Sequence, residues 1–125
     1  MIPRYRAWDV EFKEMVRVDA LILDEQVIKA TYKNGNVVKE DIKNYKLMQS
    51  TGLKDKNDKE IFEGDVVKMA KNVYSEPTYY EVVRHRGGAY RLESKQHGCE
   101  LWLRHTDCEI ADNIYKNPKL LEVDS

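Results

Sequence analysis

The sequence predicts a mainly β protein, and three observations predict it. Apolar and polar residues alternate at period two over several short stretches, Asn-Gly and Gly-Gly dipeptides stand between such stretches, and no stretch of a dozen residues carries a helical apolar stripe. The expected layout is a small antiparallel β subdomain over residues 1–47 and a second β domain over residues 48–125 that closes as a small barrel.

Residues 15–23 place Val16, Val18, Ala20 and Ile22 on one side of a strand, with Arg17 and Asp19 opposite. The next strand, residues 26–32, sets Ile28, Ala30 and Tyr32 together. Asn34-Gly35 then supplies a pair suited to positive φ for a tight hairpin, with a return strand over residues 37–42 whose Glu40 and Asp41 keep one side wet. Strands follow at about residues 45–50 and 64–70, separated by a polar loop centred on Lys54 to Lys59. Gly64, just ahead of Asp65, marks a bulge or sharp bend as the chain enters a curved sheet. Residues 78–86 and 89–93 flank the Gly87-Gly88 turn, and residues 101–103 and 108–115 complete the strands. Asn117 before Pro118 is a capping residue followed by proline at a first helical position, so one helical turn starts there.

Of the 125 residues, 42% are hydrophobic and 34% charged, with 6 Gly and 3 Pro, a composition that excludes a disordered tail or a collagen-like rod. Lys and Arg number 21 against 22 Asp and Glu, so a net charge of −1 provides no global attraction to nucleic acid or an anionic membrane. Apolar runs stop at Ala20 to Leu23 and the N-terminus lacks a signal region, from which a cytoplasmic protein with no membrane span is expected. The 2 cysteines, Cys99 and Cys108, make no disulfide framework and read as reduced thiols.

Neither glycine-rich phosphate loop is present, and no serine sits in a G-x-S-x-G elbow. Asp55 and Asn57 fit the first two ligand positions of a calcium loop, but Lys59 and Glu60 occupy the next two, leaving a solvated hairpin tip as the reading. His97, Cys99, His105 and Cys108 are four zinc-competent side chains at spacings unlike those of structural zinc sites, so no metal and no cofactor are expected. A Cys–His nucleophile pair, Cys108 with His85, His97 or His105, lacks any accompanying oxyanion feature. Tyr80, Arg84, Arg86, Tyr90 and Trp102 mix cations with aromatic rings, as a single-stranded nucleic acid site does. Protein interfaces use the same mixture, and the balanced charge favours a protein partner or self-association over nucleic acid.

Several blocks carry a family resemblance: Arg6 to Asp9, then Met48 to Asn57, Lys59 to Val67, and Asn113 to Leu121. In this order they resemble the YopX family, small proteins of phages and prophages of Gram-positive bacteria. The resemblance implies an N-terminal β-rich subdomain, a C-terminal SH3-like barrel, oligomers and no established catalytic residue. Asp58 stands where the family usually has glycine, which implies a longer loop than a two-residue turn, and Ala111-Asp112 replaces Ile-Gly, which implies a different bend before Asn113. Residues and resemblance together predict a non-enzymatic phage or prophage accessory protein that binds a host or phage protein. A nucleic-acid-binding barrel is the alternative, and a metal-dependent enzyme around His97 and Cys108 is a third.

Overall fold

A computed structural model describes residues 4–70 and 74–122. The protein is mainly β, with antiparallel pairing throughout the strand pairs of each sheet. The chain divides into two compact units, Met1–Ser50 and Thr51–Ser125.

The first unit contains β1 (Tyr5–Asp9), β2 (Glu14–Ile22), β3 (Val27–Thr31), β4 (Val37–Asp41), a 3₁₀ turn at Ile42–Asn44, and the start of β5 (Tyr45–Lys54). The second continues with β6 (Glu60–Phe62), β7 (Asp65–Met69), β8 (Thr78–Arg84), β9 (Tyr90–Glu93), β10 (Gly98–Glu100), helix α1 (Leu101–Arg104), a 3₁₀ turn at His105–Asp107, β11 (Glu109–Asn113) and a final 3₁₀ turn at Pro118–Glu122. The expected terminal helical turn is therefore present. Short β1, β6 and β10 were not distinguished in the sequence, and β5 runs to Lys54, past the expected residue 50.

Both units follow one path. Four strands meander, a helical turn follows, and a fifth strand returns beside the first: β4-β3-β2-β1-β5 in one sheet, which β6 extends, and β10-β9-β8-β7-β11 in the other. In the first unit this path demands strong curvature. Four strand spacings would separate β4 from β5 by about 19 Å in a flat sheet, whereas the chain from Asp41 to Tyr45 reaches about 14 Å at most. The sheet therefore rolls, and its two ends meet where Tyr45 Oη donates to Glu40 Oε2 at 2.9 Å. Tyr32 Oη lies 2.7 Å from Tyr45 Oη and donates to the buried Asp9 carboxylate. The other Asp9 oxygen accepts from the backbone of Glu11 and Phe12, which fixes the β1–β2 turn. Ala7, Val16, Ile28, Ala30 and Tyr45 form the apolar core of this unit.

The second unit is where a small SH3-like barrel was expected. Among the described residues β10 and β11 are the outer strands of an open five-stranded sheet, and no pairing joins them into a closed barrel. One face is covered instead: Ile61 of β6, Leu53 of β5 and Leu101 of α1 pack with Val67, Met69, Tyr80, Val82, Leu92 and Cys108. Gly64 makes the expected sharp bend, at φ +86°, with the Asp65 carboxylate accepting from Phe62 N at 2.8 Å across the turn. A register shift at Ala111 bends β11, at the substitution that implied a change there.

Three hairpins share one loop hydrogen-bonding pattern that the dipeptide reading did not predict, the third differing in a second positive φ, +84° at Gly87. Tyr32, Asp55 and His85 each donate N–H to the carbonyl four residues on, while Gly35, Asp58 and Gly88 donate back three residues. These are three-residue loops, not two-residue turns, with positive φ at the third position: +90° at Gly35, +65° at Asp58 and +87° at Gly88. Asn34 accordingly needs no positive φ, and Asp58 occupies the position that glycine fills elsewhere. A Cβ at Gly35 would meet no neighbour within 4 Å, so Gly35→Val is expected to cost about 1–2 kcal/mol, chiefly through backbone strain. Asp58→Gly should act in the opposite direction, raising stability by up to about 1 kcal/mol. Urea unfolding of the two variants checks the pair, and equal midpoints would refute the loop assignment.

The Asp55 loop is a hairpin tip as expected, but its first residue is not solvated. Asp55 is buried, its Oδ1 accepting from Asn57 N and Lys59 N and its Oδ2 from Ile110 N of β11. The carboxylate that matched a calcium ligand thus ties the loop to the sheet.

Candidate binding cleft and its helical rim

At one end of the second unit the strands leave a cleft of about 320 Å³, lined by Met69 and Ala70 after β7, Ser75, Glu76, Thr78 and Tyr80 leading into β8, Gln96 and His97 before β10, and Arg104 of α1. Each part has a local cause. Thr78 and Tyr80 sit two apart on β8 and so share a face. The turn carrying Gln96 and His97 is held by Ser94, whose Oγ accepts from His97 N at 3.0 Å and whose backbone N–H donates to His97 O. Tyr80 is 8% exposed; burial raises its pKa, with Cys99 adding to the rise and Arg104 opposing it. Its hydroxyl is a neutral hydrogen-bonding group at neutral pH.

Helix α1 reaches the cleft through Arg104, and at residues 101–103 the expected strand is a single helical turn. His105 N–H closes it on the Leu101 carbonyl, and the Cys108 thiol donates to the Arg104 carbonyl at 3.3 Å. The helical turn separates residues that a strand would place on one side. Leu101 is fully buried, whereas Trp102 and Leu103 are 64% and 58% exposed. Two large adjacent apolar side chains in water on so short an element are unusual for a surface with no partner. Arg104 follows them, its Nε donating to Asp107 Oδ2 at 3.0 Å.

The five residues expected to form a stacking face are distributed over different places. Arg84 and Tyr90 are direct cross-strand partners on β8 and β9, and Arg86 is exposed in the turn between those strands. Tyr80 packs in the core, and Trp102 stands on α1. A ring buried like Tyr80 has no free face for a base.

The four zinc-competent residues are likewise apart in role. Cys99 and Cys108 pack in the apolar core, and burial pushes the Cys108 thiol up to about 12 and raises Cys99 as well. Both thiols are protonated at neutral pH, whereas a nucleophile or zinc ligand works as the thiolate. His105 Nδ1 lies 2.7 Å from the Lys54 carbonyl, and His97 lines the cleft. His85 pairs with Glu93 at 2.7 Å. Among the described residues no group of three or more His, Cys, Asp or Glu side chains is placed to hold a metal ion. No helix among them is long and apolar enough to cross a membrane.

Sequence reasoning missed Thr78, Gln96 and Leu103 as site residues, and Ser94 as the residue that positions the turn. Ser94 three residues before His97 was the one available signal, because a serine hydroxyl commonly closes a turn on a following N–H.

Comparison with known proteins agrees with this architecture along the whole chain. Protein EF1440 from Enterococcus faecalis, a crystal structure, is similar at 29% identity and a TM-score of 0.69, covering 97% of this chain and 99% of that one. Protein yopX from Bacillus subtilis shares the fold with a TM-score of 0.67 at 22% identity, covering 94% and 97% of the two chains. No curated protein matches the sequence. The family model described as YopX protein matches residues 4–122, which takes in both five-stranded units and the rim of the cleft, and the chain therefore belongs to the YopX family.

Proposed function

We propose that this chain is a non-enzymatic binding module for a protein partner, in the setting that the family resemblance implies: a phage or prophage accessory protein in the cytoplasm of its bacterial host. One observation carries the reading, the exposed Trp102-Leu103 pair anchored by buried Leu101 beside a cleft that holds Arg104. Tryptophan and arginine are the side chains that most often carry the energy of protein interfaces, and a well-packed anchor beneath them keeps them in place. The charge of −1 and the burial of Tyr80 both count against a nucleic acid.

Capture from infected host cells, with tagged wild type and with Trp102→Ser and Leu103→Ser, tests the proposal. A defined protein should copurify with wild type and be reduced at least tenfold by either substitution, while the thermal midpoints of all three stay together. Equal capture by all three overturns the reading. In a parallel arm, a labelled single strand is titrated by fluorescence anisotropy at rising salt. Micromolar binding that Arg84→Ala and Tyr90→Ala weaken would replace the protein partner with nucleic acid.

A further inference from the structure

We infer that Asn34 is a site of spontaneous modification, where the folded β3–β4 loop turns a side-chain amide into an acid with water as the only co-reactant. None of the other 6 asparagines precedes a glycine. Gly35 offers a backbone nitrogen with no side chain beside it, and a Cβ built there would meet nothing within 4 Å. Residues 33–36 are all exposed, so water and hydroxide reach the loop.

The loop also arranges the reacting atoms. Asn34 Oδ1 accepts from Asn36 N at 2.9 Å, which folds the side chain forward along the chain, and the ring that this bond closes contains both Asn34 Cγ and Gly35 N. These are the two atoms that must join, and holding them in one turn removes part of the entropy an open chain loses on ring closure. The Asn36 N–H also polarises the Cγ carbonyl and stays on its oxygen as negative charge develops there. One bond opposes the attack, from Gly35 N–H to the Tyr32 carbonyl at 2.9 Å. It lies in a loop open to water, which takes its place at little net cost.

The step needs no oxidant or reductant. Solvent hydroxide removes the Gly35 N–H proton, the nitrogen's electron pair forms a bond to Asn34 Cγ, and the Cγ–Nδ2 bond breaks. The departing nitrogen takes a proton from water, leaves as ammonia and regenerates the hydroxide. Water then opens the cyclic imide at either carbonyl, giving Asp on the original backbone or isoaspartate, whose chain runs through Cγ and is one methylene longer. Both products add a negative charge. The longer one also strains a loop closed by the bond from Tyr32 N–H to the Asn36 carbonyl at 2.9 Å.

To test this, the whole chain is aged at mildly alkaline pH, folded in buffer or unfolded in urea, and its peptides are mapped by mass with isoaspartate counted by enzymatic methyl labelling. Asn34 should convert at least tenfold faster than any other asparagine, and its rate in the folded chain should lie within tenfold of the rate in urea or above it. The rate should rise from neutral to alkaline pH. Asn34→Gln, which must close a larger ring, should remove the new acidic species on ion exchange while the chain stays folded, because the side chain is exposed. An unchanged Asn34 in the folded chain, conversion more than tenfold slower than in urea, a rate that does not change with pH, or an acidic species equally abundant in Asn34→Gln overturns the inference.

Discussion

Asp55→Ala is expected to destabilise the protein by about 3 kcal/mol, in the range for removing one partner from a buried, charged hydrogen-bond group. Three backbone N–H groups, from Asn57, Lys59 and Ile110, would lose their acceptor, at bond lengths of 2.9, 2.9 and 3.0 Å. Asp55 itself is 4% exposed, so water is poorly placed to substitute. Burial alone would raise the carboxyl's pKa, but the N–H groups of Ile110, Lys59 and Asn57 outweigh it and hold the group below its ordinary value. A folded pKa below the unfolded one means that the stabilisation is complete above the unfolded value, about 4. It is lost as pH falls through the folded value. Urea unfolding should therefore show a wide gap between wild type and Asp55→Ala at neutral pH, narrowing in acid. A gap under about 1 kcal/mol at neutral pH would show that the loop does not depend on this carboxylate.

Leu101→Ala should cost about 2–5 kcal/mol, the range for emptying a fully buried leucine site. Leu103→Ala, two residues on, should change stability by less than about 0.5 kcal/mol, because its side chain is already in water. The contrast is diagnostic of the helical turn, since a strand would point both side chains to one face. Losing the Leu101 anchor should also loosen Trp102 and Arg104, so Leu101→Ala weakens partner capture even at temperatures where it remains folded. Similar costs for the two leucines would restore the strand.

The strands with clean alternation were legible in the sequence. Residues 15–23 and 26–32 correspond to β2 and β3, and Val37 with its neighbours to β4, because side-chain period and face are local properties. Gly64 and Pro118 were legible for the same reason: their backbone preferences act whatever surrounds them. β6 and β10 were not, since three residues are too few to establish a period and each is held by pairing with a neighbouring strand. The Asn34-Gly35 site was recognised as a turn, yet its loop length depended on how β3 and β4 register, which the dipeptide does not encode.

The candidate site divides along the same line. Arg84 and Tyr90 became neighbours because their strands pair, whereas Tyr80 was drawn inward by its face on β8 and Trp102 outward by a helical turn. Residues 101–103 are apolar throughout and carry no alternation, so local pattern did not separate strand from helix. By itself the sequence determined the β class, most strand positions, the sharp bend and the family. Tertiary structure alone decided that two units share one strand order, that a carboxylate shaped like a metal ligand became a buried tie, and that Tyr80, His97 and Arg104 line one cleft. The physical reason is distance along the chain: alternation and turn preference act within a few residues, while the Asp55–Ile110 bond and the cleft join segments that meet only when the sheet is built.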